Sequence, residues 1–330
     1  MTKIFITGAT SSIGAHLVKF LLQEDTKLHL LVRKNPGFEL FNDPRILLFE
    51  GDLSSEETIL NAMEGCSQVY HLAANASVWQ KDPKVYFETN VRGTQTILEA
   101  ALKSNIDRVV VTSSAGVLGP SITNIVSETK AREMDFFNEY ESSKAISELL
   151  IHNYVCEKRL DVVIVSPTRV YGPILFGPIS STTLLIDKFI NGKWRIYPGT
   201  SKEIGNYAYI EDVATGHILA MKNGIKGDTY ILGGTNCTYI EFYGLLITLS
   251  GVKRRMFVVP RFIQKLFATI QLMNAQLFGI KPAITPKWLA KGYYNWEVSS
   301  DKAISTIGYS ITPMKKGLEK TIQSISKNKF

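Results

Sequence analysis

Tyr140 and Lys144 lie four residues apart in a stretch, about Glu139 to Lys158, whose pattern predicts a helix, so their side chains share one face. A tyrosine hydroxyl is a poor proton donor or acceptor near neutrality, because its ordinary pKa is about 10. A neighbouring ammonium favours the phenolate and lowers that value, which makes the pair a usable general acid/base. Ser114 follows an apolar run, Arg108 to Thr112, that predicts a strand ending in Ser113-Ser114. Its hydroxyl can hold a reacting oxygen. Alone, the Tyr-x-x-x-Lys spacing fits an ordinary surface helix equally well, so the surrounding elements must decide.

The chain opens with Lys3-Ile4-Phe5-Ile6-Thr7-Gly8-Ala9-Thr10-Ser11-Ser12-Ile13-Gly14, an apolar strand, a loop and the start of a helix. Such a turn leaves backbone N–H groups and the positive end of a helix dipole for a pyrophosphate. Gly8, Thr10, Ser11, Ser12, Ile13 and Gly14 are therefore candidate cofactor ligands. The spacing departs from G-x-G-x-x-G, since Gly8 and Gly14 are six apart with Ala and Ser between them. A second strand, Lys27 to Val32, ends in Arg33-Lys34 where a dinucleotide fold presents an acid to ribose hydroxyls or an arginine to a 2′-phosphate. Arg33 reads either as a solvated strand-end charge or as a 2′-phosphate partner, and the second reading favours NADP(H) over NAD(H). Further strands end in Gly51-Asp52-Leu53 and in Ala73-Ala74, whose small side chains leave room for a ligand. The alternation of strands and helices predicts an α/β fold with a doubly wound parallel sheet.

At 330 residues a large domain with a smaller companion is expected. The pattern divides the chain into a dinucleotide-binding part, residues 1–172 and 206–235, and a mostly helical substrate-binding part, 173–205 and 236–330. Cys66, Cys156 and Cys237 are odd in number and scattered, which argues against a disulfide framework or a zinc site and fits a reducing compartment. With no signal peptide apparent, a cytoplasmic protein is expected. The net charge is +7, and much of the excess of basic residues sits in Lys253-Arg254-Arg255, Lys315-Lys316 and Lys327-Asn328-Lys329. Such clusters are solvated surface or attract an anionic ligand or membrane. No nucleic-acid motif accompanies them, and no run reaches the roughly 18 apolar residues of a spanning helix.

Taken together, the chain resembles the extended short-chain dehydrogenase/reductases, the NAD-dependent epimerase/dehydratase family. The matching pieces are Thr7-Gly8…Gly14, Asp52-Leu53, His71-Leu72-Ala73-Ala74, Asn90-Val91-x-Gly93-Thr94, Thr112-Ser113-Ser114, Tyr140-x-x-x-Lys144 and Ser166-Pro167-Thr168-Arg169-Val170-Tyr171-Gly172-Pro173. Tyr209 to Ala214, Tyr230 to Gly234 and Ser300-x-Lys302-Ala303 extend the likeness over nearly the whole chain. The resemblance implies that Tyr140 is the acid/base and that Lys144 binds the nicotinamide ribose and lowers the Tyr140 pKa. It implies that Ser114 holds the substrate oxygen and that Asp52 and Leu53 flank adenine. Ala73, Ala74 and Asn90 would lie along the cofactor, with Pro167 and Val170 at the nicotinamide. Dimerisation through the helices near Val85–Ala101 and Glu139–Lys158 is implied as well.

Three departures narrow the branch. Ser11 or Ser12 stands where the family usually has glycine. The run Ser113-Ser114-Ala115-Gly116 has no carboxylate for water elimination, which disfavours a dehydratase. Val117-Leu118-Gly119 replaces the Val-Tyr-Gly of sugar epimerases, and the motifs look more like the dihydroflavonol-reductase and 3β-hydroxysteroid-dehydrogenase branch. The leading expectation is an NADP(H)-dependent oxidoreductase, with NAD as the other cofactor, interconverting a carbonyl and a secondary alcohol on a small, apolar or cyclic substrate. The alternatives are a nucleotide-sugar epimerase and a catalytically silent nucleotide sensor. Finally, Phe262, Ile263, Leu266, Phe267, Ile270, Met273, Leu277 and Phe278 recur at helical spacing. The stripe is expected to pack into the small domain or cover the substrate pocket; a lipid-facing helix making peripheral membrane contact is the other reading.

Overall fold

The computed structural model describes residues 1–327, so Asn328 and Lys329 of the basic tail lie outside the described residues. In chain order the elements begin β1 (Thr2–Thr7), α1 (Ser12–Leu21), β2 (Thr26–Val32), β3 (Ile46–Glu50), α2 (Glu56–Met63) and β4 (Gln68–His71). Then come α3 (Lys84–Phe87), a π-turn (Glu88–Arg92), α4 (Gly93–Lys103), β5 (Arg108–Thr112), α5 (Glu139–Glu157) and β6 (Val162–Pro167). Beyond these lie β7 (Arg169–Tyr171), α6 (Ser181–Ile190), β8 (Ile196–Tyr197), β9 (Ile204–Tyr209), α7 (Ile210–Asn223), β10 (Thr229–Leu232) and β11 (Thr235–Thr238). The chain ends with α8 (Tyr239–Ser250), β12 (Phe257–Val258), α9 (Arg261–Phe278), α10 (Pro286–Lys291) and α11 (Met314–Lys327).

Seven parallel strands form one sheet in the order β3-β2-β1-β4-β5-β6-β10. Strand side chains alternate between faces, and both faces here are covered. Ile4 and Ile6 of β1 enter one core with Leu17, Val18 and Val213, while Phe5 between them enters the other with Ile97, Val109 and Val111. That two-sided burial explains the near-continuous apolar runs of these strands. Between β2 and β3 stands only a 3₁₀ turn, Glu39–Asn42, in place of a full crossover helix.

A three-stranded sheet, β11-β9-β7, leads to a third core in which Tyr207 stacks on Phe242 with ring centres 4.2 Å apart. α8 enters this core behind a capping box between Thr238 and Glu241 and stops at Gly251, whose φ of +66° ends it in a left-handed cap. α9 departs from the expected packing. Its buried residues are Ala268 and Ala275, and the large apolar stripe faces outward.

Candidate active site

The sheet brings the candidate residues into one line. Its order reverses between β1 and β4, where ligands bind beyond the carboxyl ends of parallel strands. Along that edge, in spatial order, come Asp52 after β3, Arg33 after β2, Gly8 after β1, Ala73 and Ala74 after β4, Ser114 after β5, and Pro167 ending β6. Val170 sits just beyond, on β7, and its carbonyl accepts from Ser180 at 2.8 Å.

The loop between β1 and α1 leaves no room for side chains at its two glycines. Gly8 has φ +76°, and a Cβ there would lie 2.6 Å from the Ala73 nitrogen. A Cβ on Gly14 would lie 2.2 Å from the Gly8 carbonyl oxygen. Ser11, where a third glycine is usual, caps α1: its hydroxyl accepts from the Gly14 amide at 3.1 Å. Ser12 and Ile13 follow at the start of α1, where amides have no acceptor within the helix, and the first turn carries no acidic residue. A tight loop, two forced glycines and a helix start without negative charge fit a dinucleotide pyrophosphate. Thr10 is covered from outside, because a Cβ on Gly177 would lie 2.6 Å from its carbonyl oxygen.

Arg33 is exposed, with no ion pair among the described residues. Asp52 is also exposed and accepts from the Ser54 amide at 2.8 Å and the Ser54 hydroxyl at 2.6 Å. These bonds hold its carboxyl below the usual range, and Arg33 adds a smaller push in the same direction. Leu53 turns inward onto Gly93, so tightly that a Cβ there would lie 2.6 Å from it.

Ser114 lies close enough to Tyr140 to lower the pKa of its hydroxyl. The Ser114 oxygen accepts from the Gly116 amide at 3.1 Å, which leaves its proton free to be donated. Tyr140 sits in the first turn of α5, whose start is capped by Asn138 accepting from the Glu141 amide at 3.0 Å. Burial pushes the Tyr140 hydroxyl above its ordinary pKa, Ser114 opposes that, and the Glu141 carboxylate adds to it. In this structure the Lys144 ammonium donates to the Thr112 carbonyl at 2.7 Å, and burial, Ser114 and Glu141 are the influences acting on Tyr140. Lys144 is itself almost wholly buried, and burial pulls its pKa down to about 8 against the pull of Glu148.

Glu148 escaped sequence reasoning, though it stands four residues beyond Lys144 on the same helix face. Its carboxylate accepts from Ser113, and burial raises it while Ser113 and Lys144 lower it. Glu141 was missed as well. Completely buried, it pairs with Arg132 at 3.0 Å and with Lys291 of α10. Arg132 also donates to the Gly116 and Val117 carbonyls, tying the turn after Ser114 to α5.

His71, noted in sequence only as part of a motif, joins the end of β1 to the start of α4, just past the π-turn. Thr94 donates to the Asn90 carbonyl at 2.6 Å, so its oxygen is left to accept from His71 Nε2 at 3.1 Å. His71 Nδ1 then accepts from Thr7 at 2.7 Å, and the Thr7 oxygen accepts from the Ala73 amide at 3.3 Å. Burial drives the imidazole pKa to about 3, which keeps it neutral and able to serve both ways. Asn90 in the π-turn donates to Ser143 at 2.9 Å and accepts from the Asn75 amide at 2.7 Å. It braces α5 from behind.

A cavity of about 350 Å³ lies beside this site. Trp79, Tyr86, Trp288, Pro286 and Leu272 line it, together with Lys81 and a Lys287–Glu139 ion pair. Trp288 stacks on Tyr140 with ring centres 6.2 Å apart, so the cavity wall adjoins the phenol.

The chain is similar to one family model and to three known proteins. The model described as NAD dependent epimerase/dehydratase family matches residues 4–233. Sterol demethylase protein B of Methylococcus capsulatus is 31% identical over 288 residues, 86% of this chain and 84% of that protein. A putative dihydroflavonol 4-reductase of Synechocystis sp. is 28% identical over 322 residues, 95% and 92% of the two chains. The crystal structure of gox2253 superposes with a TM-score of 0.80 at 28% identity, covering 99% of this chain and 98% of that one.

Proposed function

We propose that this chain, which belongs to the NAD dependent epimerase/dehydratase family and is an NAD(P)-dependent oxidoreductase of the extended short-chain type, uses NADP(H) to interconvert a carbonyl and a secondary alcohol on an apolar, cyclic small molecule. The observation that carries the reading is the aromatic-walled cavity against Tyr140, whose ionic content is a self-neutralising pair and one further lysine. Such walls suit a fused-ring or aromatic substrate. The names of the relatives, a sterol demethylase protein and a putative dihydroflavonol reductase, support the same class. The Val117-Leu118-Gly119 run in place of Val-Tyr-Gly speaks against a nucleotide-sugar epimerase, and a silent sensor would have no use for the Ser114–Tyr140 pair.

When bound, the nicotinamide would supply or accept the hydride. Gly8, Ser12, Ile13 and Gly14 would hold the pyrophosphate, Ala73, Ala74 and Asn90 would border the cofactor, and Pro167 and Val170 would flank the ring. Tyr140 is kept protonated by burial, which suits it to protonate the substrate oxygen in reduction while Ser114 orients that oxygen. In the oxidising direction the same high pKa makes turnover climb with pH. Lys144 lies one helical turn behind and would bind the ribose hydroxyls once its ammonium leaves the Thr112 carbonyl. Residues 173–205 and 236–330 would form the substrate side. A homodimer through the α3–α4 and α5 surface fits the exposure of Val85, Ile146 and Leu149 there.

Titration with NADPH and NADH, followed by a panel of cyclic ketones, tests the reading. NADPH is expected to bind more tightly, and Arg33→Ala to weaken it roughly 10- to 100-fold, the worth of one charge-assisted contact. Tyr140→Phe should lower turnover about 10²–10⁴-fold with NADPH affinity unchanged. Equal affinity for the two cofactors refutes the role of Arg33. Undiminished turnover of Tyr140→Phe refutes the mechanism.

A further inference from the structure

Helix α9 is amphipathic in the wrong sense for a water-facing helix. The small residues Ala268 and Ala275 face the protein, whereas Phe262, Leu266, Phe267, Met273, Leu277 and Phe278 are each more than half exposed. At about 100° per residue these six fall within an arc of roughly 160°, turned away from the two alanines. Val258 before the helix and Ile280 after it are exposed as well. A face of that extent requires a covering.

The charge around it says what kind. Residues 251–287 contain seven Lys and Arg and not one Asp or Glu, while the rest of the chain carries 30 of each sign. The whole net charge of +7 therefore resides in α9 and its flanks. Arg261 is paired with Glu203 at 3.2 Å and Lys287 with Glu139. Lys253, Arg255, Lys265 and Lys281 are exposed and have no carboxylate partner among the described residues. A second copy seated on this face would bring the same uncompensated cations together, whereas anionic headgroups neutralise them. No helix among the described residues is long and apolar enough to cross a membrane, so the helix would lie in the interface plane.

We propose that the outer face of α9 docks on an anionic phospholipid bilayer, with its phenylalanines and leucines among the acyl chains and the flanking lysines and arginines at the headgroups. The same helix contributes Leu272 and Gln276 to the cavity beside Tyr140. Docking therefore brings the cavity wall to the lipid, where an apolar substrate would be concentrated. That consequence rests on the substrate reading above; the docking does not.

The test is co-flotation of the full chain with phosphatidylcholine vesicles, with and without about one-third phosphatidylglycerol. Wild type is expected to float with the anionic vesicles and to stay largely in solution with the neutral ones. Phe267→Glu/Leu277→Glu should abolish flotation, and Lys265→Ser/Lys281→Ser should weaken it roughly fivefold per residue removed, the worth of a surface cation at an anionic membrane. All four positions are exposed, so circular dichroism and NADPH titration should match wild type and separate loss of docking from loss of fold. Wild type that remains unbound overturns the proposal. So does undiminished flotation of the double-Glu protein, or equal flotation with both vesicle types. A concentration-dependent dimer dispersed by Phe267→Glu in the absence of vesicle binding overturns it in favour of a second copy.

Discussion

Replacing Lys144 with methionine tests how much charge the site holds against burial. Lys144 is 3% exposed, and burial moves its pKa from an ordinary 10.5 to about 8, with Glu148 pulling the other way. In the unfolded chain the amine titrates at its ordinary value. Below pH 8 both states hold the proton, so the cost of the buried ammonium weighs fully on the folded protein. Between pH 8 and 10.5 the unfolded chain binds a proton that the folded chain has lost, so this group makes stability rise with pH. The displacement from 10.5 to 8 is worth about 3 kcal/mol at roughly 1.4 kcal/mol per unit.

Methionine keeps the length and the apolar stem and removes the charge. It also strips the Thr112 carbonyl of its donor, a loss of about 1–3 kcal/mol that is the same at every pH. The variant should thus be as stable as wild type or more so at pH 7, and that advantage should shrink by about 3 kcal/mol by pH 10.5. Urea unfolding of both ligand-free proteins across this range reads the difference, and groups that do not interact with Lys144 cancel. A stability difference that does not change with pH would refute the buried ammonium.

Two further substitutions probe the frame of the site. Glu141→Gln leaves the Arg132 and Lys291 cations buried beside a neutral amide, and should lower unfolding free energy by about 3–5 kcal/mol; a change under about 0.5 kcal/mol in denaturant titration would show that the triad is not a buried ion cluster. Gly14→Ala drives a methyl to 2.2 Å from the Gly8 carbonyl oxygen. It should weaken NADPH binding at least 100-fold while the cavity still takes up a fluorescent apolar probe; unchanged nucleotide affinity would mean that the loop is not the pyrophosphate seat.

The repetition of apolar strand and helix, the spacing of Tyr140 and Lys144, and the place of Ser114 after a strand were legible in the chain because they are local. A two-residue or a 3.6-residue period needs no partner to be read. So was the forced glycine at Gly8, since strand, turn and helix follow one another directly. The sequence by itself thus determined the α/β architecture, the family and the candidate chemistry.

Tertiary structure decided what depends on distance in space. Which way the Lys144 ammonium points is set by the Thr112 carbonyl, 32 residues away, and not by Tyr140 on its own helix. Glu141 reads as an ordinary helix-start acid until Arg132 and Lys291 are seen to bury with it. His71 acquires its direction only through Thr7 and Thr94, which sheet pairing and helix packing bring to its two nitrogens. The sense of α9 is the same kind of fact. Hydrophobic periodicity marks a face but not what that face meets, and only the packing of Ala268 and Ala275 against the protein turned the phenylalanines outward.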